Sequence, residues 1–170
     1  MPENNQMMSV EGQLVGLPIA GPESFSQQQI EYLKRALGVD ETVLWDCGGT
    51  PQQSPALTLS EPYTNFKTLR FKLAGGTAPG TYVWNSIYIY LPTDSIAAVN
   101  RFNLNYTSSD STQGTSFVYK QLMYNVASTT SFTVQGNGQV FYNGSSWSAK
   151  TNVTTLMWQV VGIGRIAGGN

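Results

Sequence analysis

The chain has 170 residues with 9 basic and 10 acidic side chains, a net charge of −1, one cysteine and no histidine. Catalytic and transition-metal sites usually recruit histidine, cysteine or clustered carboxylates, because these groups change protonation state or bind metals near neutral pH. The composition therefore favours a binding or structural protein over an enzyme and predicts no cofactor and no metal site. It provides no basic cluster for nucleic acid and no apolar window for membrane insertion.

An N-terminal arm opens the chain. Apolar residues are interspersed with glycine and proline over residues 1–21, and this mixture excludes a helix and cannot bury itself. The start also lacks the basic and apolar regions of a signal peptide, so we expect synthesis in a cytoplasm without one. The arm is expected to lie extended against another protein and to attach through apolar residues. These residues are Val10, Leu14, Leu17 and Ile19.

One short helix follows the arm. Ser24 and Gln27 have the spacing of a capping box, and Gly38 stands where a C-cap glycine belongs. This pattern predicts a helix over about residues 24–37. A helix of this length is marginal alone in water, so its apolar stripe must dock on its own domain or on neighbouring subunits. The stripe consists of Ile30, Leu33 and Leu37.

From residue 41 onward the sequence predicts strands and no further helix. Apolar and charged residues alternate cleanly over residues 67–73, and turn-rich segments separate this run from similar ones. The Gly-Asn-Gly segment at 136–138 has the composition of a hairpin tip. Short strands with polar turns predict a mainly β protein. We expect an antiparallel, jelly-roll-like β-sandwich over residues 41–170, preceded by the arm and short helix of residues 1–40.

Two of the predicted strands are apolar on both faces. Residues 82–91 alternate aromatic with aliphatic positions, and residues 156–161 have the same two-sided character. A strand of an antiparallel sheet normally leaves one face to water, so such a strand is either central with both faces covered or meets a partner. We therefore expect assembly into a homotrimer. The expected contact residues, besides the helix stripe, are Tyr82, Trp84, Tyr88 and Tyr90.

A candidate ligand site lies near the end of the chain. Aromatic rings stack on the C–H surfaces of sugars, and amide and hydroxyl groups adapt to sugar hydroxyls. Tyr142, Asn143 and Trp147 offer this combination, although burial is the commoner role of an aromatic residue and would make Trp147 a cap on the edge of the core. An enzyme without histidine would need a pair of carboxylates, and Asp94 and Asp110 are the main candidates after residue 61.

Three segments resemble a known family. The sequences ETVLW at 41–45 and LTLSEPYTNFKTLRF at 57–71 are similar to the start of the β-rich tip domains of bacteriophage fibres. The sequence MWQVVGIGR at 157–165 is similar to the last strand of those domains. The resemblance covers about residues 41–166.

This resemblance implies a trimeric, non-enzymatic protein of the virion surface. A head or tail fibre of this kind attaches to capsid or tail proteins through residues 1–21 and projects its β-domain for receptor binding, for example to a host surface glycan. The chain has no long shaft, which favours a short fibre. The alternatives are a capsid decoration protein without a receptor role, a glycan-degrading tail enzyme and a free lectin-like module. Calcium at a subunit interface, held by Asp94 or Asp110, stays an open possibility.

Overall fold

The computed structural model of the chain describes residues 6–10, 13–17, 26–74, 86–108, 117–142, 145–151 and 155–166. The chain divides by its internal contacts into two compact units, Met1–Asp40 and Glu41–Asn170. Their expected roles as attachment arm and tip domain stay predictions. Six residues that were singled out from the sequence lie outside the described stretches, namely Ile19, Ser24, Tyr82, Trp84, Asp110 and Asn143.

The N-terminal unit contains a hairpin where we expected an unpaired arm. Strands β1 (Gln6–Val10) and β2 (Gln13–Leu17) pair antiparallel along their whole length. Two residues separate the strands in sequence, and a two-residue connection ending in glycine is a hairpin signal. The expected attachment residues Val10, Leu14 and Leu17 therefore belong to backbone-paired strands.

Helix α1 (Gln27–Leu37) begins slightly later than predicted and ends where predicted. Its capping box joins Ser26 and Gln29, because the Ser-x-x-Gln spacing at Ser24 recurs two residues further on. Gly38 caps the C-terminus in the left-handed conformation at φ 66°. No residue of α1 is buried, and Leu37 is 74% exposed.

The β-domain contains ten strands and a second helix in its described part. In chain order these elements are β3 (Glu41–Asp46), β4 (Gln52–Gln53), β5 (Leu57–Thr58), β6 (Phe66–Ala74), β7 (Ser86–Pro92), α2 (Thr93–Val99), β8 (Arg101–Ser108), β9 (Phe117–Ser128), β10 (Ser131–Tyr142), β11 (Trp147–Thr151) and β12 (Leu156–Arg165). The prediction of a mainly β chain is confirmed.

The strands form two antiparallel sheets. The first sheet has the order β3-β12-β6-β7, and β4 also pairs with β12. The second sheet has the order β11-β10-β9-β8, and β5 also pairs with β10. Strands β8 to β11 are thus a meander of consecutive neighbours. This connectivity differs from the expected jelly roll, which is built from two Greek keys and places sequential strands in different sheets.

One hydrophobic core draws on both sheets. Strand β6 contributes alternate residues from one side, and β8 and β9 contribute alternate residues from the other. The ring of Phe71 in the first sheet lies 5.3 Å from the ring of Phe102 in the second. The buried cluster comprises Leu44, Leu57, Leu59, Tyr63, Phe66, Leu69, Phe71, Leu73, Ile96, Phe102, Leu104, Tyr106, Leu122, Tyr124, Phe132, Met157 and Val160.

The predicted hairpin tip at residues 136–138 is wrong. The segment lies inside β10, whose register with β9 shifts between Val134 and Gly136, and the turn between the two strands is at residues 129–130. Glycine inside a strand marks a bulge as readily as a turn, because it tolerates the local bend. The shift changes the inward-facing phase of β10 from Phe132 on one side of the bulge to Gln139 on the other.

Helix α2 was not predicted, since residues 92–95 have the composition of a turn. It spans seven residues, which is too short for a helical period to show in the sequence. Its side chains are nevertheless fixed: the Thr93 hydroxyl donates to the carbonyl oxygen of Phe66, and Ile96 is buried in the core. The helix links β7 of the first sheet to β8 of the second sheet.

Candidate functional site

The outer face of the second sheet carries a row of amides. Side chains along β8 alternate, so that Phe102 and Leu104 are buried while Asn103 and Asn105 are exposed. Strand β9 alternates in the same way, and its residue Gln121 lies directly opposite Asn105. Two neighbouring strands thus present uncharged hydrogen-bonding groups to solvent. We call this surface the amide–aromatic face, and it comprises Asn103, Asn105, Tyr119, Gln121, Asn125, Tyr142 and Trp147.

Aromatic residues occupy one end of the amide–aromatic face. Tyr142 of β10 and Trp147 of β11 are directly opposed, with ring centroids 5.3 Å apart and ring planes inclined by 47°. Trp147 is 62% exposed. Two residues from Tyr142 along β10, Val140 lies opposite Tyr119 of β9, and each is 38% exposed. The structure therefore brings the predicted pair of Tyr142 and Trp147 together, with Trp147 as the first residue of a strand and not in a loop.

A groove lies at the other end of the same face. It has a volume of about 350 Å³ and is bordered by Val99 at the end of α2 and by Arg101, Asn103, Met123 and Gln135. Ligand pockets begin at about this size. None of these residues was predicted from the sequence to form a site, because strand pairing brings them together from separate parts of the chain. The only advance signal was the alternation of β8, whose exposed positions are polar.

The second sheet is nearly free of charge. Its described strands β8 to β11 contain no aspartate or glutamate and only three basic residues, Arg101, Lys120 and Lys150. Lys120 faces the interior and is fully buried. Arg101, which lies opposite Asn125, stands at the groove end of the amide–aromatic face.

The first sheet presents a different outer surface, which we call the tyrosine face. It comprises Tyr88 and Tyr90 of β7 with Arg70, Lys72 and Val43. The tyrosines are 48% and 55% exposed, and the Arg70 guanidinium lies 5.6 Å from the centroid of the Tyr88 ring. Arg70 also donates to both carboxylate oxygens of Glu41, at 2.6 and 2.8 Å. This face therefore combines exposed rings with charges that are already paired.

The two strands that were predicted to be apolar on both faces have different environments in the structure. Strand β7 stands at the end of the described part of its sheet, and its tyrosines are exposed while Ile87 and Ile89 pack on the core. Strand β12 is central, and its outward residues Leu156 and Val161 are already buried within the chain. Strand β12 therefore matches the alternative of a central strand with both faces covered.

The described carboxylates of the β-domain are engaged in structural bonds. Arg165 donates to both oxygens of Glu61 at 2.7 and 2.8 Å, and this pairing holds the pKa of Glu61 below its ordinary value. A general acid needs the opposite direction. Asp46 accepts from the side chain of Gln159 at 2.9 Å, and Asp94 accepts from the backbone N–H of Ser95 at 2.7 Å.

Neither a metal site nor a membrane-spanning helix is found in the described part of the chain. No group of three or more histidine, cysteine, aspartate or glutamate side chains lies close enough there to hold an ion. No helix of that part is long and apolar enough to cross a membrane. Cys47 is a free, half-buried thiol.

No family model and no curated protein matches this chain. The described part of the β-domain presents two surfaces of different chemistry. The amide–aromatic face is uncharged over most of its area, and the tyrosine face carries paired charges.

Proposed function

We propose that the chain is a non-enzymatic structural protein of a bacteriophage virion. In this proposal it is a trimeric head or tail fibre at the virion surface, made in the host cytoplasm, attached by its N-terminal unit to capsid or tail proteins. Its β-domain projects toward the host surface and binds a receptor there. The resemblance of residues 41–166 to fibre tip domains supports this proposal.

The observation that carries the proposal is the contrast between the two units. Helix α1 buries no residue and leaves Leu37 74% exposed, although its apolar stripe would gain free energy from docking. The β-domain, in contrast, has its own buried core. The first unit needs a partner to cover its helix, and the second unit does not. This organisation is expected of an anchor joined to a projecting domain.

The β-domain in this proposal is a two-layer sandwich. The contribution of both sheets to one core and the contact between Phe71 and Phe102 support this arrangement. Such a domain keeps the outer faces of its two sheets apart. One face can then meet neighbouring subunits while the other stays accessible to a ligand.

A capsid decoration protein without a receptor role is the second candidate. The two compact units follow each other directly at Asp40 and Glu41, with no shaft between them, which favours a protein that lies close to the particle. The two candidates share virion attachment and differ only in ligand binding by the β-domain. An intact chain that is incorporated into particles but binds no ligand would favour decoration.

In solution, the full-length protein is expected to be a trimer, with three times the mass of one 18.5 kDa chain. The double substitution Leu33→Asp and Leu37→Asp should lower that mass toward a single chain, because an interface does not tolerate unpaired buried charge. The control Gln28→Asp, also an exposed position of α1, should stay trimeric. Multi-angle light scattering measures all three masses. A single-chain mass of the unmodified protein at every concentration would contradict the trimer.

Deleting residues 1–21 should abolish incorporation of the chain into virions while leaving the β-domain folded. The deletion removes the hairpin of the first compact unit and leaves the whole sequence of the second, Glu41–Asn170. Immunoblotting of purified particles measures incorporation, and circular dichroism of the purified variant measures folding. A phage carrying Trp147→Ala is the matched control and should incorporate normally. Normal incorporation of the deletion variant would place the attachment site elsewhere.

A further inference from the structure

We propose that the amide–aromatic face binds a neutral carbohydrate polymer, laid across the second sheet from Tyr142 and Trp147 to the groove beside Arg101. The proposal deepens the proposed function, on which it rests for the role of the β-domain in host binding. It extends the predicted site from the segment around Trp147 to four strands of the sheet.

The aromatic end provides the stacking surface. Trp147 is 62% exposed, so a stacking ligand would cover apolar surface of this residue that now faces water. Tyr142 supports this ring from the neighbouring strand, with centroids 5.3 Å apart. Tyr119 and Val140 continue the apolar surface inward along the sheet. A sugar ring with a C–H face would be held there without any charge.

The amides provide hydrogen bonds that suit hydroxyl groups. Each carboxamide both donates and accepts, as a sugar hydroxyl does, so either partner can adjust to the other. Asn103 and Asn105 point the same way along β8 and are separated by about 7 Å, the rise of two strand residues. Gln121 lies directly across from Asn105, and Asn125 lies directly across from Arg101. The spacing gives several successive contacts to one extended chain.

The charge distribution selects a neutral polymer. An acidic polysaccharide would call for a basic cluster, and among the side chains described on this face Arg101 is the one cation. Strands β8 to β11 also contain no carboxylate, so the face lacks the paired acids that glycoside hydrolysis requires. Binding without cleavage is therefore expected. Charge complementarity points to a ligand as uncharged as the face itself.

The tyrosine face does not offer the same chemistry. Its rings stand beside the Arg70–Glu41 pair and beside Lys72, whose Nζ lies 5.6 Å from the Trp158 ring. A neutral sugar on this face would displace water from charged groups without replacing that hydration, which makes the face a poor surface for it. Tyr90, which is 55% exposed, therefore serves as a matched control for an exposed aromatic residue outside the proposed site.

Affinity electrophoresis of the full-length chain tests the proposal. The gels contain mannan, dextran, galactomannan or starch as neutral polymers, or alginate as an acidic one. We expect at least one neutral polymer to retard the chain, equally so in about 0.5 M NaCl, because neutral contacts are not screened. Trp147→Ala should weaken that binding about tenfold, as should Asn105→Ala with Gln121→Ala, whereas Tyr90→Ala should leave it unchanged.

Three outcomes would overturn the inference. They are no retardation by any neutral polymer, retardation by alginate alone, and retardation that Trp147→Ala leaves intact. Circular dichroism of each variant shows whether a loss of binding reflects a loss of folding. Incorporation into virions is measured separately, so a chain that is incorporated but binds no neutral polymer would overturn the glycan site and leave the virion role standing. A chain that binds a neutral polymer but is never incorporated would overturn the virion role and leave the glycan site standing.

Discussion

Replacing Phe102 with alanine should lower the free energy of unfolding of the β-domain by about 4 kcal/mol, as expected for a buried phenylalanine. The Phe102 ring lies 5.3 Å from Phe71 in the first sheet, and 5.2 and 5.0 Å from Tyr124 and Phe132 in the second. Its removal leaves a cavity bordered by three rings that are themselves fully buried. Such neighbours are held by other contacts and cannot collapse into the space. The free-energy cost of the cavity is therefore added to the loss of the buried ring.

Urea denaturation followed by tryptophan fluorescence measures this loss. The control Tyr119→Ala removes an aromatic side chain from the outer face of the adjacent strand, where it is 38% exposed. That change should cost about 1 kcal/mol or less, since little apolar surface returns to water. If Phe102→Ala cost no more than Tyr119→Ala, the sheets would not share a core through this ring.

The sequence predicted those strands that bury one face and expose the other. Residues 67–73 lie within β6 as expected, because a half-buried strand leaves a period of two in the sequence. Strand β7 was harder to interpret. Its tyrosines are apolar enough to suggest a covered face, yet they stand half exposed at the end of the sheet, where their hydroxyls can reach water.

Local composition led to wrong predictions where one sequence signal is compatible with two structures. Gly-Asn-Gly at 136–138 is compatible with a tip or a bulge, and only the pairing of β10 with β9 decides between them. Pro92 is the N-cap of the seven-residue helix α2, and the sequence there signals a turn equally well. In both cases tertiary contacts select the structure. The buried Ile96, for example, holds α2 against the core.

The candidate site was only partly predictable for the same reason. Tyr142 and Trp147 are close in sequence, so their proximity in space could be expected. Asn105 and Gln121 become neighbours only because β8 and β9 pair in a particular register. A register shift of one residue would turn these amides into the core, so the face exists only through the pairing.

Gly162→Ala should lower the free energy of unfolding by about 3 kcal/mol, at the upper end of the range for overpacking. A Cβ at this position would lie 2.5 to 2.6 Å from three carbons of the Phe66 ring. Phe66 is fully buried and cannot easily move aside, because the Arg165 guanidinium lies 4.7 Å from its ring centroid. Arg165 is fixed in turn by its two bonds to Glu61. Relief of the clash must therefore disturb either the β12 backbone or this ion pair.

Gly136→Ala provides the matched control within the second sheet. A Cβ there would lie 3.0 Å from the terminal methyl carbon of Met123, a flexible side chain that can turn away. The control should therefore cost about 1 kcal/mol or less, since only one mobile contact must adjust. Urea denaturation of both variants measures the difference in midpoint at equal slope. Equal midpoints for the two variants would show that Phe66 has room to move, and that the close packing of β12 against this ring does not limit the stability of the β-domain.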